Sequence, residues 1–233
     1  MKIFPILLLI QAFLFFYQQN AESKNIKFNI DGKLHTILYV KKKVSFSDLD
    51  LLSVMYHSNH VKHCGNSIIQ YLLKLSSNDI FHMNFVVRHI EITYKNVLKY
   101  NNKYKIIGAI TDYGNTSMKI SLYGVGSSSD EMNKNSSFTN LLLNNSESDA
   151  NEEQNIHKIL DNYDEDDDSS SINLSNQEIS KLKEKNCVVY FSVNYVLVKV
   201  DKNGLKRPIK SKFKEENLPM EVEQVEDLAK ALC

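Results

Sequence analysis

The sequence predicts an α+β fold in which an antiparallel sheet wraps around one long helix. Three observations predict it. A strand-like stretch opens the fold at His35, one helix-periodic stretch follows, and four strand-like stretches come afterwards without a second long helix between them. That order is not the strand-helix alternation of a parallel α/β protein.

Taken in order, His35 to Ser47 is rich in Val, Ile, Leu and Tyr, is broken by Lys41-Lys42-Lys43, and reads as a strand leading into Asp48-Leu49-Asp50. Ile68, Ile69, Leu72, Leu73 and Leu75 recur at helical spacing. Ser58 or Asn59 is the expected cap of a helix running to about Lys74. Phe85 to Tyr94 alternates from Arg88 onward, Tyr104 to Tyr113 closes at the turn pair Gly114-Asn115, and Thr116 to Tyr123 alternates again. Cys187 to Val200 ends at Asp201-Lys202-Asn203-Gly204, where Asn-Gly suits a tight turn. In the C-terminal segment 211–233, Val222, Val225, Leu228 and Leu232 mark a short amphipathic helix that packs on the sheet or on a partner subunit.

The folded domain is expected over residues 35–123 and 186–210. Residues 124–185 run from Gly/Ser-rich through Asn/Ser-rich to acidic sequence, including Asp164-Glu165-Asp166-Asp167-Asp168. Apart from Leu141-Leu142-Leu143 there is too little apolar surface to offset the entropy of ordering, so a disordered insert at a hairpin tip is expected. The acidic run lacks the spacing and glycine of an EF-hand loop. Sequons at Asn115, Asn135, Asn144 and Asn173 are permissive for glycosylation, and are also what an Asn/Ser-rich tract produces by chance.

At the N-terminus, Lys2, the apolar run Ile6 to Phe16 and the small residues around Ala21-Glu22-Ser23 read as a signal peptide over 1–23. The apolar run is shorter than the roughly 20 residues of a membrane span, so no stable anchor is expected after its removal. Residues 24–34 open with basic, acid-poor sequence and read as a leader or transit-like segment. Secretion, or the lumen of an apicoplast-type plastid reached through the secretory route, is the expected destination.

Lys plus Arg and Asp plus Glu both number 28, so net charge points to neither nucleic acid nor an anionic membrane. Three cysteines, Cys64, Cys187 and Cys233, with no C-x-x-C pair do not form a disulfide framework. The chemistry must be sought in local motifs.

The stretch from Val44 to His60, with Phe46-Ser47-Asp48-Leu49-Asp50 followed by Val54-Met55-Tyr56-His57-Ser58-Asn59-His60, resembles the active-site segment of the 4-hydroxybenzoyl-CoA thioesterase branch of the hotdog superfamily. That segment reads aromatic-x-Asp-x-Asp, a short loop, then Val-x-Tyr-His-x-Asn-Tyr. Phe85-Val86-Val87 with Glu91-Ile92-Thr93-Tyr94, the hairpin Ile110 to Met118 and the strand Val193 to Asp201 also resemble that family's elements, in the same order. The resemblance covers His35 to Pro208 except the insert.

It implies a hotdog-fold thioester hydrolase acting on an acyl-CoA or acyl-carrier-protein substrate. It implies a homodimer or homotetramer, with substrate entering along the subunit interface. Asp50 corresponds to the catalytic carboxylate, His57 and Asn59 to polar residues after the loop, and Tyr56 to the usual aromatic. Arg88 or His89 would face the phosphates of the carrier, the commoner fate of such a residue being a solvated sheet edge. No cofactor or metal is implied.

The residue types suit the reaction. A single carboxylate at Asp50 acts as general base or as nucleophile, and the sequence leaves both open. A thiolate leaves without a strong acid, and helix N-terminal amides supply oxyanion donors. Leu51-Leu52-Ser53 departs from the small Ala or Gly of relatives and narrows the approach, so a hotdog that binds without cleaving is the alternative. His57, His60 and His63 at i, i+3 and i+6 imitate a metal site, but about 600° of helical rotation separates the outer two. Asp48 is read as structural or solvated.

Overall fold

The computed structural model describes residues 23–76, 84–127, 160, 163, 171–181 and 187–233. Seven strands, β1 (Ser23–Ile30), β2 (Lys33–Lys43), β3 (Phe85–Tyr94), β4 (Lys103–Tyr113), β5 (Ser117–Ser127), β6 (Ile172–Leu174) and β7 (Cys187–Lys199), form one sheet. Its order is β3-β7-β5-β4-β2-β1-β6. Every pairing is antiparallel except the short parallel one between β1 and β6. Helix α1 (His57–Leu75) lies on one face, so the sheet wraps a central helix as the hotdog resemblance implies.

Both faces of the central strands are buried, which is why Leu38-Tyr39-Val40 and Ile106-Ile107 run apolar without alternation. On the inner face Leu38, Val40, Tyr104, Ile106, Ile120, Leu122 and Phe191 pack against Cys64, Ile68, Tyr71 and Leu72 of α1. The helix is also tied by hydrogen bonds: Tyr71 donates from its hydroxyl to the Thr36 carbonyl (2.7 Å), and the Asn25 amide donates to the Tyr71 carbonyl (3.0 Å).

The outer face is closed by α2 (Asn176–Lys181) and the C-terminal α4 (Val222–Ala231), whereas α3 (Ser211–Glu216), just before α4, sets Phe213 against the inner cluster. Val225, Leu228, Ala229 and Leu232 pack there against Ile37, Ile107, Tyr123 and Val125. The single C-terminal helix expected from sequence is therefore two, broken at Asn217–Glu221 around Pro219, and it packs on its own sheet.

Two boundaries differ from expectation. Among the described residues the sheet begins at Ser23, so residues 24–34 are not a leader outside the fold: Ile26, Phe28 and Ile30 alternate into the outer-face cluster, and Asp31 and Gly32, both at positive φ, turn the chain into β2. The insert is also not wholly outside the core. β5 runs on to Ser127, β6 joins β1, Ile172 and Ile179 are buried, and Leu160 packs with them. Residues 128–159, Leu141 to Leu143 among them, the acidic run Asp164 to Asp168 and the apolar N-terminal run lie outside the described residues.

The helix cap also differs. Tyr56, in extended conformation, precedes α1, and no side chain caps its first turn. Asn59 lies inside the helix and bonds elsewhere.

Candidate active site

Between β2 and α1 the chain must reverse within thirteen residues, and this connection carries the motif residues of the resemblance. Val44 donates its amide to the Asn102 carbonyl (2.9 Å) and Asn101 donates back to the Val44 carbonyl (3.1 Å), so the connection starts against the β3–β4 crossover. One turn of 3₁₀ helix, Phe46–Asp48, follows.

Asp48 is the hub. Its Oδ2 accepts from the Ser45 amide (2.9 Å) and the Ser45 hydroxyl (2.7 Å), and its Oδ1 lies 3.2 Å from His63 Nε2. Its backbone carbonyl accepts from the Tyr56 amide (2.8 Å) and from Asn59 Nδ2 (3.1 Å). Burial alone would raise the Asp48 carboxyl, but the Ser45 donors and the adjacent imidazole outweigh it and hold it below the usual carboxylate range. Asp48 is thus buried, not solvated, and its bonds tie Ser45, Tyr56 and Asn59 together.

Asp50 sits two residues on, at the start of a tight turn. Its amide donates to the Val54 carbonyl (2.9 Å), its carbonyl accepts from Ser53 (3.1 Å), and its Oδ1 accepts from the amides of Leu52 (2.8 Å) and Val54 (3.4 Å). Oδ2 takes no hydrogen bond from the described residues. Ser53 has φ of 59°, the left-handed region that favours glycine, so Ser stands where the turn asks for Gly. Bridges between Leu49 and Met55 and between Val54 and Lys99 pin the turn on both sides. Leu51 and Leu52 project from it into solvent, 104% and 81% exposed.

The other expected site residues are distributed unevenly. His57 is exposed at the first position of α1, with its ring against Tyr56 (4.2 Å between centroids) and its carbonyl accepting from the Tyr94 hydroxyl (3.2 Å). Tyr56 is partly exposed beside it. The Asn59 side chain is committed to the Asp48 carbonyl. Arg88 is the extra residue of a β-bulge in β3, and Tyr94 lies six positions further along the strand, roughly 20 Å away. Arg88 is exposed on the edge strand.

The three histidines do not converge. His60 is buried between the rings of Tyr94 and Phe191, with Nδ1 at 3.3 Å from the Tyr56 carbonyl, whereas His63 turns to Asp48 and Tyr104. Among the described residues no three His, Cys, Asp or Glu side chains gather as metal ligands. Burial pushes the Cys64 thiol up, which leaves it a packing residue at neutral pH.

Sequence reading missed His63 and Tyr104 as partners. The signal present was a polar residue one turn from the buried Cys64–Ile68 face, a place where an imidazole needs partners.

No family model matches the chain, and no curated protein matches it. Solved structures do resemble it. A mutant of 4-hydroxybenzoyl-CoA thioesterase complexed with 4-hydroxybenzoyl CoA is 6% identical, with a TM-score of 0.48 over 77% of this chain and 97% of that one. A hypothetical protein from Staphylococcus aureus in complex with CoA is 8% identical, with a TM-score of 0.48 over 91% of this chain and 90% of that one. A thioesterase from Thermus thermophilus complexed with coenzyme A and Zn is 14% identical, with a TM-score of 0.46 over 76% of this chain and 94% of that one. The fold assignment rests on the strand order and the wrapped helix themselves.

Proposed function

We propose that the chain hydrolyses an acyl thioester of CoA or of an acyl-carrier protein to the free acid and thiol. The observation that carries this reading is the Asp50 carboxylate, held by one oxygen on a braced turn with the other left available, just before the uncapped start of α1.

Asp50 acts as general base toward a water that displaces the thiolate, or attacks the carbonyl itself, expelling the thiolate to give a mixed anhydride that water then opens to the free acid and the Asp50 carboxylate. The first-turn amides of His57 and Ser58 have no intrahelical acceptor and face the charge that develops on the carbonyl oxygen. The exposed His57 ring orients the acyl carbonyl, with Tyr56 packing beside it. Asn59 serves the geometry through Asp48 rather than touching substrate.

The chain works as a homodimer in this reading. β3 is a ten-residue edge strand whose Val86, Val87, Ile90 and Tyr94 are exposed, the kind of edge that proteins cover. A second β3 paired against it would bring Arg88 of one subunit toward the other. The outer sheet face is already occupied by α2 and α4, which favours a dimer over a tetramer. A Val87→Lys, Ile90→Lys double variant should then run as a monomer in light scattering, where the parent runs as a dimer.

The test is cleavage of short-chain, long-chain and aromatic acyl-CoA by the purified chain, followed with a thiol reagent. Asp50→Asn should abolish release of thiol while leaving the thermal transition in place. Equal rates in variant and parent would end the assignment. A second reading, a hotdog that binds thioesters without cleaving them, is favoured by Leu51 and Leu52 standing beside Asp50; binding of acyl-CoA with no thiol release from the parent would establish it.

A further inference from the structure

Beyond the carboxylate itself lies a chain of hydrogen bonds that runs from the core to the turn. The Tyr104 hydroxyl of β4 is 2.7 Å from His63 Nδ1, His63 Nε2 is 3.2 Å from Asp48 Oδ1, and Asp48 holds Ser45, Tyr56 and Asn59. One assignment satisfies every member: Tyr104 donates to Nδ1 and a neutral His63 donates from Nε2 to an ionised Asp48. His63 and Asp48 side chains are only 15% and 10% exposed, and Tyr104 is buried, so water does not readily replace a missing partner.

We infer that His63 is a positioning residue for Asp50, acting through Asp48 to hold the turn of residues 49–55, and that a protonated imidazole releases that hold. This rests on the thioesterase reading only in naming Asp50 as the group positioned. Adding a proton to His63 charge-assists its Nε2–H bond to Asp48 but turns Nδ1 from acceptor to donor, so the Tyr104 oxygen must accept and its O–H proton is left turned into the core without an acceptor. The network is then no longer satisfied at the point where it meets the core.

The groups facing His63 set the direction of its titration. Burial disfavours the imidazolium and lowers it below the ordinary histidine value, with Asp48 opposing and Lys42 of β2 and Lys62 of α1 adding to the lowering. Lys42 is itself lowered by burial. His60, on the same helix, is lowered by burial and further by His63, while Cys64 and Tyr104 stay neutral because burial pushes both up. At neutral pH the hold is therefore engaged.

Hydrogen-exchange mass spectrometry on the full chain, corrected for intrinsic exchange, tests this directly. Peptides covering residues 44–56 should exchange about tenfold faster on the acid side of the His63 titration than above it. In His63→Gln the amide still donates toward Asp48 and cannot titrate, so exchange of that loop should vary less than about twofold with pH. A merely structural histidine would change global stability and leave the loop's own pH dependence unmoved.

Tyr104→Phe provides an independent arm if the Gln variant folds poorly. Loss of the hydroxyl that favours the neutral ring moves the midpoint of loop loosening to higher pH. The same loop pH profile in the parent, His63→Gln and Tyr104→Phe would overturn the inference. Thioester turnover is read in parallel: kcat should follow the loop profile with KM nearly constant. Should no thioester be cleaved while the loop behaves as described, the hydrolase reading fails and the role of His63 stands; cleavage with a pH-indifferent loop refutes the role of His63 alone.

Discussion

Asn59 Nδ2 and the backbone carbonyl of Asp48 are joined by a 3.1 Å hydrogen bond across the start of α1. The bond fixes where the helix begins relative to the turn that carries Asp50. It also explains why Asn59 is partly buried although it stands in the first turn of the helix.

Asn59→Ala should therefore behave as a structural lesion. One side-chain hydrogen bond to a part-buried carbonyl is worth about 1 kcal/mol, so the midpoint of chemical denaturation should fall by that amount. Any thioester turnover should drop through kcat with the pH profile retained. In contrast, Asp50→Asn should silence turnover at unchanged stability, so the pair of variants separates the residue that supports the turn from the one that uses it.

Ser53 offers the opposite sign. Its φ of 59° costs an L-residue about 1 kcal/mol that glycine does not bear, and the entropy of the freer unfolded chain takes part of the gain back. Ser53→Gly should raise stability by about 0.5 kcal/mol in denaturant titration, with the turn geometry and any activity retained. Ser53→Val, whose branched Cβ suits this region least, should lower it.

The strands after the helix were legible because local chemistry and tertiary role agree there: apolar runs form buried strands. Legibility failed where two local signals competed. Ile26-x-Phe28-x-Ile30 followed by Asp31-Gly32 is a hairpin signal in full, yet the basic, acid-poor opening after an apolar N-terminal run outweighed it as a leader. Ile172 and Ile179 are isolated apolar residues in polar surroundings, and only the open edge of β1 and the outer face give them a place to be buried. His63 was seen with His57 and His60 as one spacing pattern, whereas its partners, Asp48 and Tyr104, come from other elements 15 and 41 residues away.

The outer face yields a prediction about the part of the expected disordered insert that joins the fold. Ile179 and Leu228 are 2% and 0% exposed in the same apolar cluster, so each change to Ala should cost about 2–4 kcal/mol. Deleting Gly126 to Lys183 removes β6 and α2 together with the end of β5, and should lower the thermal midpoint markedly by calorimetry. A deletion with an unchanged midpoint would mean that β1 and α4 close the face by themselves.

Acid sensitivity follows from three histidines. Burial is the leading cause that holds His35, His60 and His63 below the ordinary histidine value, with carbonyls of Leu218 and Tyr56 and the Asp48 carboxylate opposing it in turn. The unfolded chain therefore binds protons on these residues at a higher pH than the folded chain does. Unfolding then takes up protons as pH falls below about 6.5, and stability must fall with it until the folded-state values are passed. Above that pH the contribution is complete, and Asp48, also lowered, adds a further loss only below the ordinary carboxylate range. Denaturant midpoints measured from about pH 8 down to pH 5 should decline on the acid side of this range, and His35→Gln, at a site remote from the turn, should reduce the slope without altering the exchange of residues 44–56. A flat stability profile across that interval would show that the three rings are as accessible to protons folded as unfolded.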